Sequence, residues 1–391
     1  MNGNPLGRPI RLLSLYPSFW PRQGGGQMVV AAIARGLSSQ ISNTVLTRKF
    51  HDTPAYEQYD DLSVRRYPNP APERWKDYAT GTRHVSFLQK CVVTGLDVVC
   101  ALDPLRRLAA ESDIVHVHFP LPLGVSALIV RAVVRRPLVT TVHGNADIYE
   151  LPAAMSPLTR AVLARSDAVV SVSHDLADHL RRRMRLPNVT VIPNGVDVDS
   201  FQPGRPSRRG VTLLSISRLV PRKNIHVLIA AVQRLVEEGA ELVLQVAGTG
   251  PEQERIERLA RQSNGSIRFV GFIDEARKRT LLSDADAFVQ LSTREGLSIA
   301  ALEALASGVP CVVSDLPGVR EPITRDLTGW LVDDPEDVDS VVRALRKVLA
   351  DRSRFPEMKL ACRAVARERY SSEAMCEGYW AVFTDLLRTR P

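Results

Sequence analysis

The chain predicts an α/β protein made of two doubly wound parallel sheets facing each other across a cleft. Three observations predict it. Short apolar runs alternate with segments of helical periodicity. The alternation breaks at Asn194 to Gly210 and then restarts. A length of 391 residues also exceeds what one ordinary core accommodates.

Ile10 to Tyr16 reads as the first strand, followed by the loop Pro17 to Gly26 and a helix from Gln27 to about Leu37. Ile114 to His118, Leu138 to His143, Ala168 to Val172 and Val189 to Ile192 read as further buried strands with helical patterns between them. Such alternation places helices on both faces of a parallel sheet. Gly195, Pro203, Gly204, Pro206 and Gly210 then mark a linker. Beyond it come Val211 to Ser217, Leu242 to Ala247, Ile267 to Val270, Ala287 to Leu291 and Cys311 to Ser314, with a helix over Asn224 to Glu238. The predicted division is 1–198, 199–370 and a last helix within 371–391. In sheets of this kind ligands bind beyond the carboxyl ends of the strands.

Composition narrows the function. The chain is 45% hydrophobic and 24% charged, which reads as globular, and no apolar run has the length of a membrane span. Met1 to Ile10 lacks a basic flank followed by an apolar run, so no signal peptide is expected and the predicted location is cytoplasmic. Five cysteines without a C-x-x-C pair argue for a reducing compartment and against structural zinc. The net charge of +8 gathers partly in Arg181, Arg182, Arg183 and Arg185 and in Arg131, Arg135 and Arg136. Solvated helix faces explain both clusters. The sharper alternative is an anionic membrane surface, at about 1 kcal/mol per basic residue. Nucleic acid is not an expected partner, because zinc-finger spacing and an interleaved aromatic-basic surface are both missing.

The densest signal runs from Arg294 to Pro310. Glu295 and Glu303 stand eight positions apart, with Gly296 after the first, Ser298 placed to cap a helix, and Gly308 and Pro310 placed to end it. A helix start there offers backbone N–H groups and a positive dipole end to a phosphate or a polyhydroxyl ligand. Gly318, Glu321 and Gly329 follow in register. Elsewhere, Gly24, Gly25 and Gly26 precede a helix, which suits close approach to a diphosphate, although the spacing is not a dinucleotide fingerprint. Arg218 ends a strand, Lys223 precedes a helix, and His143 ends a strand in the first half. His116 and His118 share a strand face, but no third ligand at suitable spacing completes a metal site.

Together these motifs resemble the retaining glycosyltransferases of family 4, whose fold is called GT-B. The resemblance covers most of the chain. It includes Pro193-Asn194-Gly195-Val196-Asp197 at the end of the first domain, and Gly248-Thr249-Gly250-Pro251 and Phe269-Val270-Gly271-Phe272 in the second. It implies that the last helix, Glu373 to Arg388, crosses back to the first domain. It implies a nucleoside-diphosphate-sugar donor, with Gly25 and Gly26 beside the phosphates, Glu303 on the ribose hydroxyls and Glu295 against the sugar. The backbone of Gly296, Leu297, Ser298 and Ile299 would face sugar and phosphate. Gly271 would lie near the base, and His143 would reach the donor sugar.

Arg218 and Lys223 would stabilise the leaving diphosphate as fixed cations, so neither a metal nor a cofactor is expected. The acceptor is a glycan, a lipid-linked sugar or a small molecule, met by loops such as Phe50 to Arg83, with Asp147 and Glu150 as weaker candidates. Where the family has glycine after the lysine, aspartate after the histidine, and Phe-Gly after Glu-Gly, this chain has Asn224, Gly144 and Leu297-Ser298. A nucleotide-sugar epimerase of the same architecture and a non-catalytic sugar-nucleotide-binding protein are the alternatives.

Overall fold

A computed structural model describes residues 4–21, 24–76, 86–144, 156–204 and 210–389. The chain divides into two units. One comprises Met1–Asn194 with Ser372–Pro391, and the other comprises Gly195–Ser371.

The first unit is built on a sheet of β1 (Ile10–Leu15), β2 (Ile41–Arg48), β3 (Tyr56–Gln58), β4 (Leu62–Tyr67), β5 (Ile114–Val117), β6 (Leu138–Val142), β7 (Ala168–Ser171) and β8 (Val189–Val191). Their order is β3-β4-β2-β1-β5-β6-β7-β8, parallel except for the antiparallel β3–β4 pair. The chain winds outward from β1 to one edge, returns, and winds to the other edge from β5. The reversal therefore lies between β1 and β5, where wound sheets open a crevice for ligands. Strands β2, β3 and β4 carry no strong apolar signature. In β2 buried polar atoms take partners instead: Ser14 Oγ donates to Asn43 Oδ1 at 2.9 Å, and Thr47 Oγ1 accepts from the Phe19 amide at 3.0 Å, while Asn43 Nδ2 has no hydrogen-bond partner among the described residues. Arg48 pairs with Asp97 and donates to the Lys76 carbonyl at 2.9 Å.

The last helix, Ser372–Arg388, belongs to this unit and packs on the helix Gly25–Gly36, with Cys376 Sγ 3.6 Å from the Ala32 carbonyl oxygen. The return predicted for this helix is thus observed.

The second unit contains β9 (Val211–Ile216), β10 (Leu242–Ala247), β11 (Ile267–Gly271), β12 (Ala287–Gln290), β13 (Cys311–Ser314) and β14 (Gly329–Val332). Every pairing is parallel, and the order is β11-β10-β9-β12-β13-β14. This is the 3-2-1-4-5-6 winding of dinucleotide-binding sheets, with its reversal between β9 and β12. Leu213, Leu244, Val289 and Val312 are buried in one core with Leu228, Ile229 and Val232 of the helix Ile225–Glu237. Strand β14 was not foreseen; its first residue is a glycine, and only Trp330, Leu331 and Val332 carry an apolar signal.

Residues 195–204, read from sequence as linker, are packed into the second unit. The Val196 amide donates to the Tyr370 carbonyl at 2.8 Å, Arg363 Nη1 to the Phe201 carbonyl at 2.6 Å, and Lys359 Nζ to the Gly204 carbonyl at 2.9 Å. Pro206 lies outside the described residues.

Candidate functional site

In the second unit the sequence-predicted residues converge on the β9/β12 reversal. Half-buried Arg218 follows the carboxyl end of β9. A short 3-10 turn, Pro221–Lys223, then presents two cations. Lys223 Nζ forms a short ion pair with Glu295 Oε1, and Arg222 Nη1 lies 3.6 Å from the same oxygen. Asn224, standing where the family has glycine, adopts the left-handed conformation (φ 51°) that asparagine tolerates better than most residues. Its side chain donates to the Leu291 carbonyl at 3.1 Å, and the Thr293 amide donates to the Arg222 carbonyl at 3.0 Å. These bonds tie the lysine turn to the glutamate loop.

Gln290 was not foreseen, since it lies inside an apolar strand. Its Nε2 donates to Glu295 Oε1 at 3.1 Å, and its Oε1 accepts from Ser298 Oγ at 2.5 Å. Ser298 also caps the helix Ile299–Ala306, accepting from the Ala301 amide at 3.3 Å. Gly318 (φ 73°) presses on the same loop, for a Cβ there would sit 2.3 Å from the Glu295 carbonyl oxygen. Burial alone pushes the Glu295 carboxyl up, but Lys223 and Arg222 outweigh it and hold the group below its ordinary range. Glu295 is therefore a fixed anion and a hydrogen-bond acceptor, not a proton donor.

Buried Glu303 lies farther along the same helix and pairs with Lys278 Nζ at 2.6 Å. Lys278 comes from the helix Glu275–Asp284 and also reaches Glu275 Oε1 at 3.0 Å. Burial opposes the charge of Lys278, yet the Glu303 carboxylate holds its pKa above the ordinary lysine value. Gly271 ends β11.

In the first unit Gly25 begins a helix and Gly26 is its second residue. A Cβ on Gly26 would stand 2.5 Å from the Tyr16 hydroxyl, so this glycine has a packing reason of its own. His143 directly follows β6. Its Nε2 lies 3.3 Å from His118 Nδ1, and the His118 and His116 rings are in contact with centroids 4.0 Å apart. His116 Nε2 lies 2.8 Å from Thr141 Oγ1, which meets the Tyr379 hydroxyl of the last helix at 3.2 Å. Burial pushes the imidazole pKa of His143 down to about 4 and that of His116 to about 3, so the array is neutral near pH 7.

Asn145, Asp147, Glu150 and residues 77–83 of the Phe50 to Arg83 segment lie outside the described residues. The arginine clusters are partly neutralised: Arg181 and Arg182 pair with Asp178, and Arg131 pairs with Asp167. Among the described residues no group of His, Cys, Asp and Glu is arranged to hold a metal, and no helix is long and apolar enough to cross a membrane. Arg222, Gln290, Lys278 and Tyr379 are the site neighbours that sequence reasoning missed. Arg222 alone carried a signal, its place beside Lys223.

Residues 199–369 match the family described as Glycosyl transferases group 1, and residues 23–200 match Glycosyltransferase Family 4. The chain is 31% identical over 267 residues to the putative colanic acid biosynthesis glycosyltransferase WcaL of Escherichia coli, an overlap of 64% of each chain and so just under two thirds of that relative. It is 30% identical over 311 residues to a GDP-mannose-dependent alpha-(1-6)-phosphatidylinositol monomannoside mannosyltransferase of Mycobacterium tuberculosis, covering 73% of this chain and 78% of the relative. The crystal structure of Anabaena HepE in complex with UDP and glucose superposes with a TM-score of 0.74 at 18% identity, covering 97% of this chain and all of that one. The likeness to HepE shows a shared fold, and it is the GT-B fold predicted above.

Proposed function

Because the chain belongs to glycosyltransferase family 4, we propose that it moves a hexosyl group from a nucleoside diphosphate sugar to an acceptor hydroxyl, with retention of anomeric configuration and without a metal. The observation that carries this reading is the Lys223–Glu295 pair, set at the β9/β12 reversal with Arg222 beside it and the start of the helix Ile299–Ala306 adjoining it.

As the bond from the anomeric carbon to the diphosphate breaks, negative charge grows on the leaving oxygen. Lys223 has further N–H donors beyond the one that meets Glu295, and it supplies positive charge already in place, as does Arg218. Glu295 stays ionised and accepts a hydrogen bond from a sugar hydroxyl. It thus orients the donor and does not protonate the leaving group. The leaving phosphate oxygen takes the acceptor proton, and the new glycosidic bond forms on the face the diphosphate vacates. His143, as a neutral imidazole, binds a sugar hydroxyl.

The named relatives support a nucleotide donor from two directions, since the mannosyltransferase is named for GDP-mannose and HepE was crystallised with UDP. The acceptor class is a glycan, a lipid-linked sugar or a natural product.

The test is a thermal-shift and turnover screen against UDP-, GDP- and ADP-sugars, with the product anomer read by NMR. One nucleotide class is expected to raise the melting temperature and to yield a product of unchanged anomeric configuration. An inverted product, a trapped glycosyl-enzyme, isomerisation of the donor alone, or no stabilisation by any donor would each overturn the reading.

A further inference from the structure

We propose that Gln290 is a positioning residue that aims the Glu295 carboxylate at the donor sugar, as the middle link of a directed hydrogen-bond relay from the start of the helix Ile299–Ala306. The proposal rests on the nucleotide-sugar reading above and deepens it. The relay has one polarity throughout. The Ala301 amide donates to Ser298 Oγ at 3.3 Å, Ser298 Oγ donates to Gln290 Oε1 at 2.5 Å, and Gln290 Nε2 donates to Glu295 Oε1 at 3.1 Å. An ionised carboxylate has no proton to give, so the amide nitrogen must face Glu295 and the amide oxygen must face Ser298. Each bond polarises the next, and the series runs from the positive end of a helix to an anion.

Placement supports the role. Gln290 is the last residue of β12, so its backbone is fixed by the sheet, and its side chain is buried. A buried amide is costly unless its partners are in place, and here both N–H groups are used, the second on Ser292 Oγ at 3.2 Å. Lys223 meets the same Glu295 oxygen from the turn Pro221–Lys223. An ammonium is a compact charge that tolerates many carboxylate orientations. The planar amide on a strand selects one of them. Ser298 makes the relay a property of this chain, because the glycine found here in the family has no hydroxyl to hold the amide oxygen. Gln290 thus acts on the sugar through Glu295 and does not touch the nucleotide.

The test measures kcat with the best donor and the dissociation constant of its nucleoside diphosphate, which lacks the sugar. It uses the full chain, Gln290→Met, Ser298→Gly and the double variant. Gln290→Met is expected to lower kcat by about tenfold or more, since a small misplacement of an orienting group is costly, and to leave diphosphate affinity within about threefold of wild type. Glycine caps a helix nearly as well as serine, so Ser298→Gly removes the hydroxyl with little harm to the helix start, and it is expected to lower kcat by about threefold or more. The double variant is expected to stay within about twofold of Gln290→Met, because both substitutions break one relay.

If Gln290→Met melts too low to assay, Ser298→Gly carries the test alone, with the same split between lost turnover and kept diphosphate affinity. Wild-type kcat in the assayed variant, turnover and diphosphate affinity that fall together, or single effects that multiply in the double variant would each overturn the proposal and leave the nucleotide-sugar reading intact. A wild type that binds no nucleoside diphosphate and turns over no donor overturns both.

Discussion

Replacing Lys223 by methionine keeps an unbranched stem and removes the charge that meets Glu295. The side chains of this pair are 12% and 15% exposed, so Glu295 would be left as a largely desolvated anion. Removing one partner from a fully buried pair costs about 3–5 kcal/mol. Two groups soften the loss here, because Arg222 remains 3.6 Å away and Gln290 Nε2 3.1 Å away. The expected destabilisation is therefore about 2 kcal/mol, near the value for stranding one hydrogen-bonded polar group.

The effect on turnover should be larger. Losing one preorganised stabiliser of developing charge raises the barrier by about 3–4 kcal/mol, or about a hundred- to a thousandfold in kcat. Urea unfolding followed by tryptophan fluorescence gives the first figure, and steady-state turnover with the best donor gives the second. The double variant Lys223→Met/Glu295→Gln completes a cycle, and its destabilisation should fall short of the sum of the single ones by at least about 1 kcal/mol. A kcat within threefold of wild type would refute the proposed role of Lys223. An additive cycle would refute the pairing itself.

Two further outcomes follow from other parts of the molecule. In acid, His143 resists protonation until about pH 4, whereas its unfolded counterpart protonates below about pH 6.5. The unfolded state then binds more protons, so stability falls as pH drops through that window, by about 3 kcal/mol for this ring alone at pH 4. Urea midpoints from pH 7.5 to 4.5 should show the fall and His143→Asn should make it shallower, His116 keeping its own share; an equally steep fall in the variant would reject the assignment. Gly318→Ala places a Cβ against the Glu295 and Gly296 carbonyl oxygens at a positive φ. It should destabilise the second unit by about 2 kcal/mol, since the left-handed conformation alone costs about 1–2 kcal/mol for alanine. It should also lower kcat by displacing the glutamate loop, and wild-type stability in this variant would contradict the close approach.

The winding of both sheets was legible because β1, β5, β6 and all of the second unit's strands but the last carry dense apolar runs between helical segments. Strand β2 escaped notice because Asn43, Thr47 and Arg48 read as loop residues until their partners are known, and those partners lie far away in sequence. The site divides in the same way. Lys223, Glu295 and the Ser298 cap were visible because a turn, a loop and a helix start each leave local marks. The link from Lys278 to Glu303 spans 25 residues and two helices, and no periodicity announces it. Gln290 was hidden by its apolar neighbours in β12, although its amide joins the two most informative side chains of the loop. Asn224 shows the converse, since a residue that departs from the family keeps the backbone shape glycine would give.

The first unit is interrupted by the second, and its closing helix is separated from the rest of it by 177 residues, Gly195 to Ser371. A nascent chain leaving the ribosome therefore finishes the second sheet before the first has its covering helix. Until Tyr379 and Phe383 arrive, the face holding Thr141 and His116 stays wet, and a sticky partly built layer waits for its lid during synthesis. A premature stop just after Ser371 would leave the second unit whole and its companion permanently unfinished, a hazard that chaperones would be first to meet.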